Sequence, residues 1–105
     1  GTNIAICIPK NPIPTPILQE IVVALKKFQM VEEIYHYSQD DIKYRLMIGI
    51  FAPEAKSEER AEINKIIHNI LIDYKPPVTK SLLYIERGSM HDYLRELKNA
   101  LIYKK

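Results

Sequence analysis

The sequence predicts an α+β domain with a ferredoxin-like βαββαβ fold: a four-stranded antiparallel sheet, two helices on one face, and an additional C-terminal helix. Two observations predict this class. Strand and helix patterns follow one another in the order β-α-β-β-α-β-α, and the first six form a split βαβ arrangement. The chain of 105 residues is 47% hydrophobic and 27% charged, which is typical of one domain spanning residues 1–105.

The first strand and the first helix are predicted from periodicity. Residues 3–8 alternate between two faces, as a strand does. One face of this strand carries three isoleucines: Ile4, Ile6 and Ile8. A proline-rich connection follows, and Thr15 before Pro16 is a favourable helix start. The apolar residues after it fall on one helical stripe: Ile17, Leu18, Ile21, Val22, Leu25 and Phe28.

A β-hairpin is predicted in the middle of the chain. Residues 31–37 are rich in β-branched and aromatic side chains, and residues 38–41 have the composition of a turn. Residues 43–51 then alternate again, which predicts the second strand of the hairpin. One face of that strand is apolar: Tyr44, Leu46, Ile48 and Ile50.

Two further helices flank a fourth strand. Ser57 is predicted to cap a helix whose apolar residues repeat at helical spacing. They are Ile63, Ile66, Ile67, Ile70, Leu71 and Tyr74. Residues 78–85 form the predicted fourth strand, and Ser89 with Asp92 has the form of a capping box. The stripe of the last predicted helix is Met90, Tyr93, Leu94, Leu97 and Leu101.

The predicted packing leaves one sheet face in need of cover. We expect the first and fourth strands to pair antiparallel near the sheet centre. The isoleucine face of the first strand, together with Leu46, Ile48 and Ile50, should then contact Ile66 and Ile70. The opposite face carries Ala5, Cys7, Arg45, Met47, Gly49 and Phe51. We expect the last helix to cover it in part, leaving Arg45, Met47 and Phe51 as a candidate interaction face.

Several stretches carry a family resemblance. They are residues 25–35 with their Val-Glu-Glu-Ile-Tyr strand opening, residues 44–51, the Pro-Val pair at 77–78, and the Tyr-Lys-Lys ending at 103–105. In these stretches the chain resembles the C-terminal domain of the SseB family, the bacterial enhanced serine sensitivity proteins. It departs from that family at 101–102, where Leu-Ile stands in place of Pro-Phe. The resemblance implies a non-enzymatic domain, because it offers no catalytic residues that could be assigned to positions of this chain.

We expect no enzyme activity, no cofactor and no metal site. The three histidines, His36, His68 and His91, lack metal-binding spacing. Cys7 lies between two isoleucines in a strand pattern, which predicts a buried packing role rather than a nucleophile. A single cysteine also fits the reducing cytoplasm.

The net charge and the hydropathy of the chain disfavour some classes of binding partner. A net charge of +2, from 15 basic and 13 acidic residues, disfavours nucleic acid and membrane surfaces as partners. No apolar run approaches the ~20 residues that span a bilayer. We therefore predict a cytoplasmic interaction module that contacts another protein, or a second copy of itself, through its sheet face or an edge strand.

Two alternatives remain open. One is a ligand-sensing regulatory domain that binds an amino-acid-type metabolite at a dimer interface. The other, less favoured, is RNA binding, because aromatic residues on the predicted strands could stack bases. Residues 43–51 do not match the motif that such a sheet requires.

Overall fold

The computed structural model of this chain describes residues 4–105. They form an α+β fold with a mixed five-stranded sheet and three helices. In chain order the elements are β1 (Ala5–Cys7), α1 (Thr15–Leu25), β2 (Glu33–Asp40), β3 (Tyr44–Phe51), α2 (Ser57–Leu71), β4 (Thr79–Tyr84), α3 (Ser89–Glu96) and β5 (Leu101–Lys104). The longest helix, α2, has 15 residues, and no helix in this part of the chain is long and apolar enough to cross a membrane.

Local sequence signals place most elements correctly. The hairpin of β2 and β3 is confirmed, as are helix starts at Thr15, Ser57 and Ser89. The predicted capping residues are wrong at two of these helices. At α3 the N-cap is Gly88, which makes no side-chain hydrogen bond, so Ser89 and Asp92 do not form a capping box. At α2 the N-cap is Lys56 rather than Ser57, and its amide donates to Glu59 Oε1 at 2.8 Å. This bond satisfies an amide that the helix itself leaves unpaired.

The strand order differs from the predicted one. β2 and β3 form the antiparallel centre, and β4 pairs with β3 in parallel. The other edge of β2 is shared, because β1 pairs with its C-terminal half and β5 with its N-terminal half, both antiparallel. The prediction of an all-antiparallel sheet with the first and fourth strands adjacent is therefore wrong. The α2 crossover returns the chain to the start of β3, so β4 runs in the same direction as β3.

The predicted C-terminal helix is shorter than its apolar stripe suggests. α3 ends at Glu96, and Asn99 has a left-handed φ of 64°, a conformation that asparagine tolerates. The chain then reverses into β5, and the His36 amide donates to the Ala100 carbonyl at 2.8 Å. Leu101, predicted on the helix, thus lies on an edge strand and is 41% exposed.

The sheet has a core on each face. Helices α1 and α2 cover one face, where the predicted burial of Leu46, Ile48 and Ile50 is confirmed. From α2, Ile63 and Ile67 are buried in this core, and the predicted contact residues Ile66 and Ile70 pack against it while partly exposed. The other face is covered by α3 and forms a second cluster: Tyr35, Tyr37, Met47, Phe51, Ile85, Leu94 and Ala100.

The side chains of β1 lie on the opposite faces of the sheet from those predicted. Ile6 is opposite Gln39 in the ladder and packs with the α3-side cluster, away from Leu46, Ile48 and Ile50. Ile4 and Ile8 are 54% and 52% exposed. A strand of three residues at a sheet edge buries little on either face, so its alternation does not determine which face meets the core.

Candidate functional site

The predicted interaction face is largely covered by the chain's own helix. Met47 is 3% and Phe51 5% exposed, and both belong to the cluster beneath α3. Arg45 remains partly accessible, with its Nη2 at 2.6 Å from Asp41 Oδ2. The expectation that these three residues form an open sheet surface is therefore corrected for Met47 and Phe51.

The turn before α3 lets the helix reach across this face. Gly88 adopts φ 147° at the helix start, a conformation that strains any residue with a Cβ. From there Leu94 packs fully buried against the sheet. The Tyr93 hydroxyl donates to the Ile6 carbonyl at 2.9 Å, which links α3 to β1 at the edge opposite β4.

A buried polar cluster fastens α3 to the start of β2. Glu33 Oε1 accepts hydrogen bonds from His91 Nε2 at 2.6 Å and from the Tyr35 hydroxyl at 2.7 Å. Arg95 Nε lies 3.9 Å from the same oxygen. The His91 ring stacks on Phe51 with centroids 3.9 Å apart and an interplanar angle of 26°.

The cluster favours an ionised Glu33. Burial alone raises the pKa of this carboxyl, but the hydrogen bonds from His91 and Tyr35, with the charges of His91 and Arg95, outweigh it. The pKa of Glu33 therefore lies below its ordinary value. Burial, followed by the bond to Glu33, raises the pKa of the Tyr35 hydroxyl, which stays protonated at neutral pH.

This polar cluster joins α3 to the sheet. The side chains of His91 and Glu33 are only 4% and 7% exposed, so most of the surface of this pair is covered by the chain itself. The bonded carboxylate oxygen already has two close donors. Sequence reasoning missed the pair because 58 positions separate its members, and no local pattern connects them.

The remaining predicted groups lie apart. His36 is buried: it accepts a hydrogen bond from the Ile13 amide at its Nε2 and contacts the Met47 carbonyl through Nδ1, at 3.0 and 2.8 Å. His68 is exposed on α2. Cys7 is exposed, which corrects the predicted burial. Among residues 4–105, no three His, Cys, Asp or Glu side chains are grouped to hold a metal ion.

The free edge of β4 is the clearest open feature of the sheet. β4 pairs with β3 in unbroken parallel register, and within residues 4–105 it has no neighbour on its other side. The Ile85 amide donates to the Ile50 carbonyl at 2.8 Å. Along a strand, the amide and carbonyl groups of successive residues point to alternate edges of the strand. Because the Ile85 amide points towards β3, the amides and carbonyls of Lys80, Leu82 and Tyr84 point towards the free edge.

Lys80 is the one charged residue of β4, and its side chain turns away from this edge. Its ammonium donates to the Leu71 carbonyl at 2.7 Å and also to the Tyr74 carbonyl. These carbonyls lie at and just beyond the C-terminal end of α2, where the helix dipole favours a cation. Edge strands are often protected by lysines that project into solvent, and Lys80 does not act in this way.

Apolar side chains lie on both sides of this edge. A groove of about 380 Å³ runs between α2 and β4, lined by Ile67, His68 and Leu71 from the helix and by Leu82 from the strand. On the opposite face Leu83 is 36% exposed. A strand added beside β4 would therefore find backbone partners in the sheet plane and apolar contacts on both faces.

Comparison with known proteins adds no further assignment. No family model, no curated protein and no solved structure matches this chain. The similarity to the SseB C-terminal domain stays a prediction from the sequence stretches described above.

Proposed function

We propose that this chain is a non-enzymatic protein-interaction module that binds a strand of its partner along the free edge of β4. The single observation that carries the proposal is an edge of six residues whose one lysine is bound to the end of α2. Its outward backbone groups at Lys80, Leu82 and Tyr84 can each pair with an added strand.

The two edges of the sheet differ in ways that favour β4. The β2 side is closed by two short strands, β1 of three and β5 of four residues, with a register shift at Ile34/Tyr35. Short strands and irregular register weaken further pairing. β4 contains no proline and pairs without a register shift, so a partner strand could extend the ladder along its whole length.

A pair of variants at one position tests the proposal. Leu82→Pro removes an outward amide, while Leu82→Ala removes the same side-chain packing and keeps the amide. Both variants lose comparable core contacts, and a proline is tolerated where the amide faces solvent. Peptides selected from a displayed random library against the intact chain, and the chain itself at increasing concentration, serve as ligands.

We expect binding to Leu82→Ala within about three-fold of the parent chain and at least about ten-fold weaker binding to Leu82→Pro. Amide exchange followed by NMR should show new protection at Lys80, Leu82 and Tyr84 in the complex. Equal binding by the two variants, or protection confined to another surface, would contradict edge pairing. Protection of these amides by self-association would identify a second copy as the partner.

A further inference from the structure

A cleft of about 640 Å³ opens at the end of the sheet where β2 finishes and β3 and β4 begin. Lys10 and Asn11 of the β1–α1 connection form one wall, and residues 73–78 between α2 and β4 form the other. Asp40 and Tyr44, at the two sides of the hairpin turn, lie between these walls. The volume is in the range of sites that bind small molecules and short peptide segments.

The apolar part of the cleft consists of aromatic and proline side chains. Tyr44 and Tyr74 are half-buried and pack against the core on the helix face of the sheet. Pro76 and Pro77 stand beside them, followed by half-buried Val78. Tyrosine rings and prolines lose little conformational freedom on binding, so the walls are already in place before a ligand arrives.

The Tyr44 hydroxyl is available to a ligand. It accepts a hydrogen bond from the Lys10 amide at 3.1 Å, which fixes the ring against the β1–α1 connection. Its own proton remains free to be donated to an acceptor in the cleft. The hairpin turn supports this position, since Asp41 Oδ1 accepts the Ile42 amide at 2.7 Å just before β3.

The charges at the rim balance one another. Lys10 and Lys75 face the same opening as Asp40 and Asp73. A site for phosphate or for a polyanion would instead concentrate positive charge. The cleft thus suits a ligand whose binding rests on apolar contact and on neutral hydrogen-bond acceptors.

We infer that this cleft binds a proline-rich peptide segment in the polyproline II conformation. Such a segment presents ring faces to aromatic walls and leaves its backbone carbonyls unpaired, so one carbonyl can accept the Tyr44 proton. Because such a segment already has this conformation when free, it loses less conformational entropy on binding. This site differs from the β4 edge, and either can bind when the other does not.

The probe is a capped, uncharged peptide of alternating proline and leucine, titrated into the intact chain and followed by NMR. We expect amide shifts centred on Lys10, Asn11, Tyr44 and Val78, with little change at Leu82. An otherwise identical peptide with alanine in place of proline should bind at least about ten-fold more weakly, because it is not preorganised.

Two conservative variants test the contribution of the Tyr44 hydroxyl. Tyr44→Phe keeps the ring and should weaken binding about five-fold, which corresponds to about 1 kcal/mol for one hydrogen bond. Tyr103→Phe, at a half-buried position of β5 outside the cleft, is the matched control and should leave binding unchanged. Circular dichroism serves to check that both variants are folded.

Three results would overturn the inference. The first is an absence of saturable shifts in the cleft at millimolar peptide. The second is equal binding of the proline and alanine peptides. The third is tighter binding of free tyrosine or proline than of the peptide, which would assign the cleft to a small metabolite.

Discussion

Replacing Glu33 by glutamine should destabilise the attachment of α3 to the sheet. The change keeps the size of the side chain and an acceptor oxygen, but it removes the charge that receives His91 Nε2 and the Tyr35 hydroxyl at 2.6 and 2.7 Å. Hydrogen bonds to a charged group contribute about 1.5–3 kcal/mol each, against about 1 kcal/mol for neutral pairs. For two bonds that share one oxygen, we expect a loss of about 2 kcal/mol.

The pH dependence of the free energy of unfolding is a second, independent test of the role of Glu33. The pKa of Glu33 is lowered from its ordinary value of 4.5, so its ionised form stabilises the folded chain fully above that pH. This contribution is lost as the pH falls through the lowered folded pKa. The difference in the free energy of unfolding between parent and Glu33→Gln should therefore be constant near neutral pH and shrink in acid.

Urea unfolding monitored by circular dichroism measures both effects. In thermal unfolding followed by the same signal, the melting temperature should fall by about 10 °C, as expected for about 2 kcal/mol in a domain of this size. Glu62→Gln, at an exposed position of α2, is the control and should change stability by less than about 0.5 kcal/mol. A Glu33→Gln chain as stable as the parent at neutral pH, or with the same difference in acid, would refute the role assigned to the cluster.

Three further predictions follow from single positions. Gly49→Ala should cost about 1–3 kcal/mol in urea unfolding, because its Cβ would lie 2.6 Å from Ile85 Cδ1 and 2.9 Å from Tyr37 Cε1; a neutral change would contradict this packing. Burial lowers the pKa of His36 below 6.5, so unfolding free energy should decline as pH falls below that value, and His36→Gln should flatten the decline. Cys7 should react with a thiol reagent in the folded chain, and Cys7→Ser should alter stability by less than about 0.5 kcal/mol; a protected thiol would count against its exposed position.

Elements with strong local patterns could be predicted from the sequence. The stripes of α1 and α2 and the alternation of β3 each lie within one continuous segment. Each pattern is long enough to distinguish a period of 3.6 from a period of 2. For the same reason the burial of Leu46, Ile48 and Ile50 beneath two helices was predictable.

The C-terminal segment shows where a local pattern misleads. Leu94, Leu97 and Leu101 fit one helical stripe, yet the helix ends at Glu96 and the chain returns as β5. The signal for the reversal is slight: Asn99 takes the left-handed conformation, and Ile102 and Tyr103 favour a strand. What decides the outcome is the unpaired edge of β2, which offers β5 a ladder that no helix could complete.

The candidate surfaces depend on tertiary structure in the same way. The sequence alone determines that Met47 and Phe51 form an apolar face that needs cover, but only the fold places α3 over it. Likewise a lysine on an edge strand, such as Lys80, is expected to project into solvent. In the fold its ammonium instead donates to the Leu71 carbonyl at the end of α2. Strand neighbours and helix cover are contacts between distant segments, and their energies depend on which backbone groups and apolar faces are still unsatisfied once the local elements have formed.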